Sequence, residues 1–188
     1  MKIAVLSDVH DALPALRAAL ASLRDVDAVL VAGDLCSPFV LPVLADDYQG
    51  GPIHVVFGNN DGDRFRMARV AAGYDRLQLH GEAWIGRIGE LEVAMSHFPE
   101  LAGAIDASRF DLIICGHDHR FRAERDRRAW RLNPGSLLGW DPAAAAELRP
   151  SFLVYDTGDG RAHGFELVTD ESGGALRVVP RPADGAPG

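Results

Sequence analysis

Asp8-Val9-His10 follows an apolar run at residues 3–6 that stops at Ser7. Such a run reads as a buried parallel strand. The pair then stands at the strand's carboxyl end, where open α/β sheets place their ligands. Alternate residues of an extended chain point the same way, so a carboxylate and an imidazole can face one spot. That donor pair suits a divalent metal. The punctuation recurs down the chain. Residues 26–31 end in Ala32-Gly33-Asp34, and residues 53–57 in Gly58-Asn59-Asn60-Asp61. Residues 91–96 lead into His97, and residues 111–115 into Gly116-His117-Asp118-His119. Any one of these ends could be a turn made by glycine and Asx residues. Turn-making is a strained explanation for the whole series. Of the 7 histidines, His10, His97, His117 and His119 stand at such ends. His54, His80 and His163 do not, and read as structural or surface residues.

Asp8, His10, Asp34, Asn59, His97, His117 and His119 are too many donors for one ion, which takes about four protein ligands. They suit two ions that share one ligand. Asp34 is the natural sharer, because a carboxylate has two oxygens. A mixed Asp/His/Asn set fits Mn²⁺ (the first choice), Fe²⁺, Zn²⁺, Co²⁺ or Ni²⁺ better than Ca²⁺ or a thiolate-bound ion. Two such ions about 3.5–4 Å apart can hold a hydroxide and clamp the oxygens of an in-line phosphoryl displacement.

The elements that position these residues begin as β-α-β-α-β-α. Leu13, Leu16, Leu20 and Leu23 recur at helical spacing, with Pro14 tolerated in the first turn. Ser37-Pro38 reads as an N-cap and first helical residue of a helix reaching about residue 46. A third helix is expected over about residues 63–72. The alternation implies a parallel sheet. From Gly73 on, the runs at 76–80, 83–88 and 91–96 are separated by glycine turns and spaced like antiparallel hairpins. Residues 121–124 with 129–132, and 151–155 with 162–169, read as further hairpins, and 176–179 as a last strand. Residues 1–180 read as one domain and 181–188, rich in Pro, Gly and Ala, as a disordered tail.

Composition narrows the partners. A length of 188 residues with 47% hydrophobic content suits a globular domain with its own core. A net charge of −8 argues against a nucleic-acid surface. No run approaches the length of a membrane span, and no secretory leader pattern opens the chain. Cys36 and Cys115 form no CxxC pair, so a reducing, cytoplasmic setting is expected. A homo-oligomer is left open.

The series Asp8-Val9-His10, Gly33-Asp34, Gly58-Asn59-Asn60-Asp61, His97 and Gly116-His117-Asp118-His119 resembles the calcineurin-like metallophosphoesterase superfamily in order and spacing. Asn133-Pro134-Gly135-Ser136 resembles its small bacterial and archaeal phosphodiesterase-like branch. The resemblance implies an α/β fold, a four-layer α/β/β/α sandwich of two mixed sheets flanked by helices. It implies one ion on Asp8, His10, Asp34 and His119, and a second on Asp34, Asn59, His97 and His117. The implied activity is hydrolysis of a small phosphodiester by a metal-bridging hydroxide. A phosphomonoesterase or protein phosphatase is the alternative, and a non-catalytic scaffold of the same fold, like the retromer subunit, a more distant one.

Two positions depart from the family pattern. Many members carry histidine where this chain has Asn60. An amide cannot act as a general acid at neutral pH but can donate a hydrogen bond, so Asn60 is read as substrate-binding. No catalytic side chain is then expected beyond the metal centre. Ser96 replaces the commoner glycine or threonine. Asp61 either orients the Asn59-Asn60 loop or caps a helix. Arg120, Arg122, Arg125, Arg127, Arg128 and Arg131 read as a solvated, charged hairpin rather than as substrate contacts.

Overall fold

β1 (Lys2–Leu6), α1 (Leu13–Ala21), β2 (Ala28–Val31), α2 (Val40–Asp47), β3 (Ile53–Val55), α3 (Arg64–Ala71) and β4 (Leu77–Leu79) alternate along the first part of the chain. The computed structural model describes residues 1–170 and 174–181; most of the expected tail, residues 182–188, lies outside the described residues. There follow β5 (Ala83–Ile88), β6 (Leu91–Ser96), α4 (Pro99–Gly103), β7 (Leu112–Ile114), β8 (Phe121–Asp126) and β9 (Ala129–Pro134). A small ribbon of β10 (Trp140–Asp141) and β11 (Ala146–Glu147) precedes β12 (Ser151–Asp156), β13 (Arg161–Thr169) and β14 (Leu176–Pro180).

Two mixed sheets result. The larger has the order β14-β13-β12-β1-β2-β3-β4, with β1 to β4 parallel to one another and β12 antiparallel to β1. The smaller has the order β5-β6-β7-β9-β8, with β6, β7 and β9 parallel and the two edge strands antiparallel. β1 and β2 are buried on both faces, which is why they read as continuous apolar runs rather than alternating ones. Ala4, Leu6, Val29 and Val31 face the helices, against Leu16, Leu20, Leu41 and Leu44. Ile3, Val5 and Leu30 face the second sheet, against Val93, Met95, Leu112 and Ile114. The far side of the second sheet buries Ala94 and Ile113 against Ala102 of α4. Three apolar layers thus hold four structural ones, α/β/β/α.

Two local expectations are corrected, and of the two readings of Asp61 the helix cap falls away. The run at 76–80 is not part of an antiparallel hairpin. Its β4 pairs parallel with β3 (Ile53↔Leu77) because α3 carries the chain back across the first sheet. Ser37 does not cap α2. Phe39 holds that place without a side-chain cap, and Ser37 Oγ donates instead to Asp11 Oδ1 at 2.5 Å. Asp61 does not cap α3 either. That role falls to Asp63, whose side chain accepts from the Arg66 backbone N–H.

His54 and His80 prove structural. They hydrogen-bond at 2.9 Å between Nδ1 and Nε2, and both stack on Trp84 of β5, joining the edges of the two sheets. Burial, and then the neighbouring His80, push His54 down to about 4, so it is neutral at neutral pH.

Candidate metal centre

The loops that follow β1, β2, β3, β6 and β7 meet at one edge of the sandwich. Backbone bonds lock them in pairs. Asp8 N–H donates to Gly33 O (3.0 Å), His10 N–H to Asp34 O (3.0 Å) and Gly116 N–H to His97 O (3.0 Å). The fit leaves no room for side chains at Gly33, Gly58 or Gly116. A Cβ on Gly33, where φ is +95°, would lie 2.7 Å from Gly58 N and 2.8 Å from His97 Nδ1. A Cβ on Gly116 would lie 1.9 Å from Ser7 Oγ and 2.7 Å from Asp8 Oδ2. Gly116→Ala should therefore force the first and last loops apart. We expect a loss of about 1–3 kcal/mol, the usual cost of overpacking, together with weakened metal uptake. A denaturant midpoint and metal titration at wild-type values would contradict this.

The donors themselves sit on strained backbone. Ten non-glycine residues have positive φ among the described residues, and five are candidate ligands: Asp8, His10, Asp34, His117 and His119. Asp11 and Cys36 beside them add two more. Each such conformation costs on the order of 1–2 kcal/mol. Asx and histidine tolerate it best, which suits the residue types found here. Strain of this kind persists only where the surroundings over-determine it, and it gathers at functional sites.

All seven predicted donors are brought together. His10 Nε2 lies 3.8 Å from Asp8 Oδ1 and 3.5 Å from Asp34 Oδ2. His119 Nε2 lies 3.3 Å from Asp8 Oδ1. His97 Nε2 is ringed by Asn59 Oδ1 at 3.1 Å, His117 Nδ1 at 3.3 Å and Asp34 Oδ2 at 3.4 Å. Asp34 thus stands between the His10 group and the His97 group. Two subsets, Asp8/His10/His119 and Asp8/Asp34/His97, place one donor atom from each residue within 4.8 Å of the others. Asp8 Oδ1 and His10 Nε2 are buried and make no hydrogen bond of sound geometry. Unpartnered buried polar atoms are costly, and a cation between them would satisfy both. The donor set fits a divalent ion by this test.

Backbone carbonyls hold the imidazoles in place. His97 Nδ1 meets Ala32 O at 2.7 Å, and His119 Nδ1 meets Trp140 O at 2.5 Å. A proton on Nδ1 in each ring leaves Nε2 as the inward donor. Burial alone would raise the Asp8 carboxyl, but the imidazoles of His10, His119 and His97 beside it hold it well below the usual range. Asp34 is likewise lowered against its burial, by His97 and by the two Asn60 N–H groups. His97 and His119 are raised, against their own burial, by Asp34 and Asp8 respectively.

Several residues that position the site carry little signal in the sequence. Asp61 accepts four backbone N–H bonds. Oδ1 takes Leu35 (2.7 Å) and Cys36 (2.9 Å), and Oδ2 takes Gly58 (2.7 Å) and Asp34 (3.1 Å). It therefore ties the β2 loop to the β3 loop. Arg64 donates to Gly58 O at 2.9 Å and lies over the Phe57 ring. Carbonyl acceptors such as Ala32 O and Trp140 O are invisible in a sequence. Cys36 Sγ lies 3.3 Å from His10 Nδ1. Burial and then the surrounding carboxylates push its thiol up to about 12, so without a metal it is a neutral thiol. In the arginine-rich segment, Arg122 pairs with Asp118, Arg128 with Asp111 (2.8 Å) and Arg131 with Asp126 (2.7 Å). Arg127 lies 3.4 Å from Asp106, and Arg125 lies over the Trp130 ring. The hairpin's charges are largely spent on itself and its neighbours.

Residues 1–160 match the model of the calcineurin-like phosphoesterase superfamily domain. The chain belongs to this superfamily. A phosphodiesterase of Methanocaldococcus jannaschii is 29% identical over 145 residues, which span 74% of this chain and 86% of that protein. A solved structure described as a novel archaeal phosphodiesterase superposes with a TM-score of 0.77 at 26% identity, covering 89% of this chain and all of the other. Vps29 of Entamoeba histolytica, solved with Zn²⁺, superposes with a TM-score of 0.65 at 22% identity, covering 96% and 98% of the two chains. The last likeness is one of fold. Among the described residues no helix is long and apolar enough to cross a membrane.

Proposed function

We propose that this superfamily member is a phosphodiesterase that hydrolyses a small phosphoester with two divalent transition-metal ions, manganese first among them. The observation that carries the reading is the convergence of seven donors, five in two groups that share Asp8, with Asn59 and His117 against His97, and with Asp8 Oδ1 and His10 Nε2 buried and unsatisfied. Asp8, His10, Asp34 and His119 would hold one ion, and Asp34, Asn59, His97 and His117 the other. When bound, such ions supply Lewis acidity toward phosphoryl oxygens and make water nucleophilic near neutral pH.

The chain's own residues do the positioning. Ala32 O and Trp140 O orient His97 and His119. Asp61 keeps the Asp34 and Gly58 loops in register. Asn60 donates its backbone N–H and one amide N–H to Asp34, at 2.8 Å each. Its amide has a second N–H, which would bind a phosphoryl oxygen. The preference for diesters draws on the two archaeal relatives. A phosphomonoesterase, including a protein phosphatase, would use the same donors. A non-catalytic scaffold of this fold would have no need of all seven, and this chain keeps them all. The free cysteines suit a cytoplasmic setting.

The test is reconstitution with Mn²⁺, elemental analysis, and assay of an aryl diester beside an aryl monoester and a cyclic nucleotide. We expect two ions per chain and fastest turnover of a diester. Uptake that stops at one ion, with His97 and His117 unliganded in a crystal, would overturn the two-ion reading. A faster monoester would overturn the diester reading.

A further inference from the structure

Asn133 lies on β9, beside β7, and is 1% exposed. Its two amide N–H groups donate to Gly116 O and to Asp118 Oδ1, both at 2.9 Å. Its Oδ1 accepts from Gly135 N–H at 3.0 Å. Both donated bonds thus go to the loop that carries His117 and His119. The chain then turns through Gly135, at φ +74°, onto the other loop. Ser136 Oγ donates to Asp8 O at 2.9 Å, Leu137 N–H to Ser7 O at 3.3 Å and Leu138 N–H to Asp8 O at 3.1 Å. The Asp8 carbonyl therefore takes two bonds from this segment. Two residues further on, Trp140 O meets His119 Nδ1.

We infer that Asn133-Pro134-Gly135-Ser136 is a positioning clamp for metal binding, Asn133 acting through His117 and His119, and Ser136 through Asp8. The inference rests on the two-ion reading above. His117 and His119 are left-handed at φ +74° and +59°, with Asp118 between them. A pair of left-handed residues two apart is unstable without support. Apolar burial gives little, since Asp118 is half-buried and polar. Beside the His117 N–H bond to Asp8 Oδ2 at 3.0 Å and the Trp140 O contact of His119, the support from within the loop is the Asp118 carboxylate, fixed by Asn133 and by Arg122 and turned back onto the Arg120 N–H at 3.0 Å. Without Asn133 the loop can relax, and the two imidazoles lose their shared direction. Partners of this kind, one step removed from the metal, typically change its affinity about 10–100-fold.

Asn133→Asp is nearly isosteric. It keeps an acceptor for Gly135 N–H, loses both donors, and sets a carboxylate against Asp118. Ser136→Ala removes one bond to Asp8 O and the Leu138 N–H bond to Oγ (3.0 Å), and leaves the Leu138 bond to Asp8 O. The experiment is calorimetric titration of each metal-free protein with Mn²⁺ alone, with circular dichroism and melting temperature recorded with and without the ion. For Asn133→Asp we expect a native far-ultraviolet spectrum, a Kd for Mn²⁺ weaker by about 10–100-fold and a smaller rise in Tm on adding the ion. Ser136→Ala should move both quantities the same way by a few-fold. A purely structural role would lower Tm equally with and without Mn²⁺ and leave Kd alone, and that result overturns the clamp. If Asn133→Asp fails to fold, Ser136→Ala decides by the same readouts. A wild-type protein that takes up no Mn²⁺ overturns the two-ion reading itself, which separates the two failures.

Discussion

Asp34→Asn is expected to lower turnover by more than about 10²-fold, beyond the 10–100-fold typical of partners that only support a ligand. It should also cost more than His97→Ala. The reason is position. Asp34 Oδ2 is 3.5 Å from His10 Nε2 and 3.4 Å from His97 Nε2, so in the proposed centre one carboxylate would serve both halves. His97 would serve one half only. An asparagine keeps the shape but offers a neutral amide, whose nitrogen is a donor and not a ligand. The metal-free fold should survive the change. Asn60 can turn its carbonyl toward the new amide, and the Asn60 N–H bond to Oδ1 is kept. The variant should therefore unfold near the wild-type midpoint without metal and fail to gain stability from Mn²⁺. Wild-type turnover at saturating Mn²⁺ would show that Asp34 does not bridge.

The second large effect concerns the leaving group. Asn60 is exposed at the mouth of the site, and an amide has no proton to give at neutral pH. Cleavage should then depend steeply on leaving-group basicity. An aryl oxide with a conjugate-acid pKa near about 7 leaves as its anion, while an alkoxide needs a proton. Aryl diesters should be cleaved well and simple alkyl phosphates poorly. Asn60→His should improve alkyl substrates selectively, by up to about 10²-fold if the ring is well placed. The check is a plot of log kcat against leaving-group pKa for both proteins, steep for the natural chain and shallower for the variant. A flat line for the natural chain would mean that another residue protonates the leaving group or that chemistry is not the slow step.

Much of this centre was legible in one dimension. β1 and β2 are buried on both faces, so they had to be apolar throughout, and their ends were marked by the first polar residues. Metal donors are few in kind, so Asp8, His10, Asp34, Asn59, His97, His117 and His119 stood out at those ends by residue type alone. The two-sheet class was implied by the resemblance that this pattern carries. The tertiary structure decided the rest. β4 joined the first sheet because α3 returns the chain beside β3, a long-range pairing that local glycine spacing cannot encode. Asp61 became the acceptor for four N–H groups because two loops distant in sequence meet around it, whereas its sequence neighbours made a helix cap equally reasonable. Asn133 and Ser136 acquired partners more than a dozen and more than a hundred residues away. Hydrogen bonds to backbone carbonyls depend on where the chain passes, not on which side chains it bears. The candidate donors were therefore written in the sequence, and their orientation only in the fold.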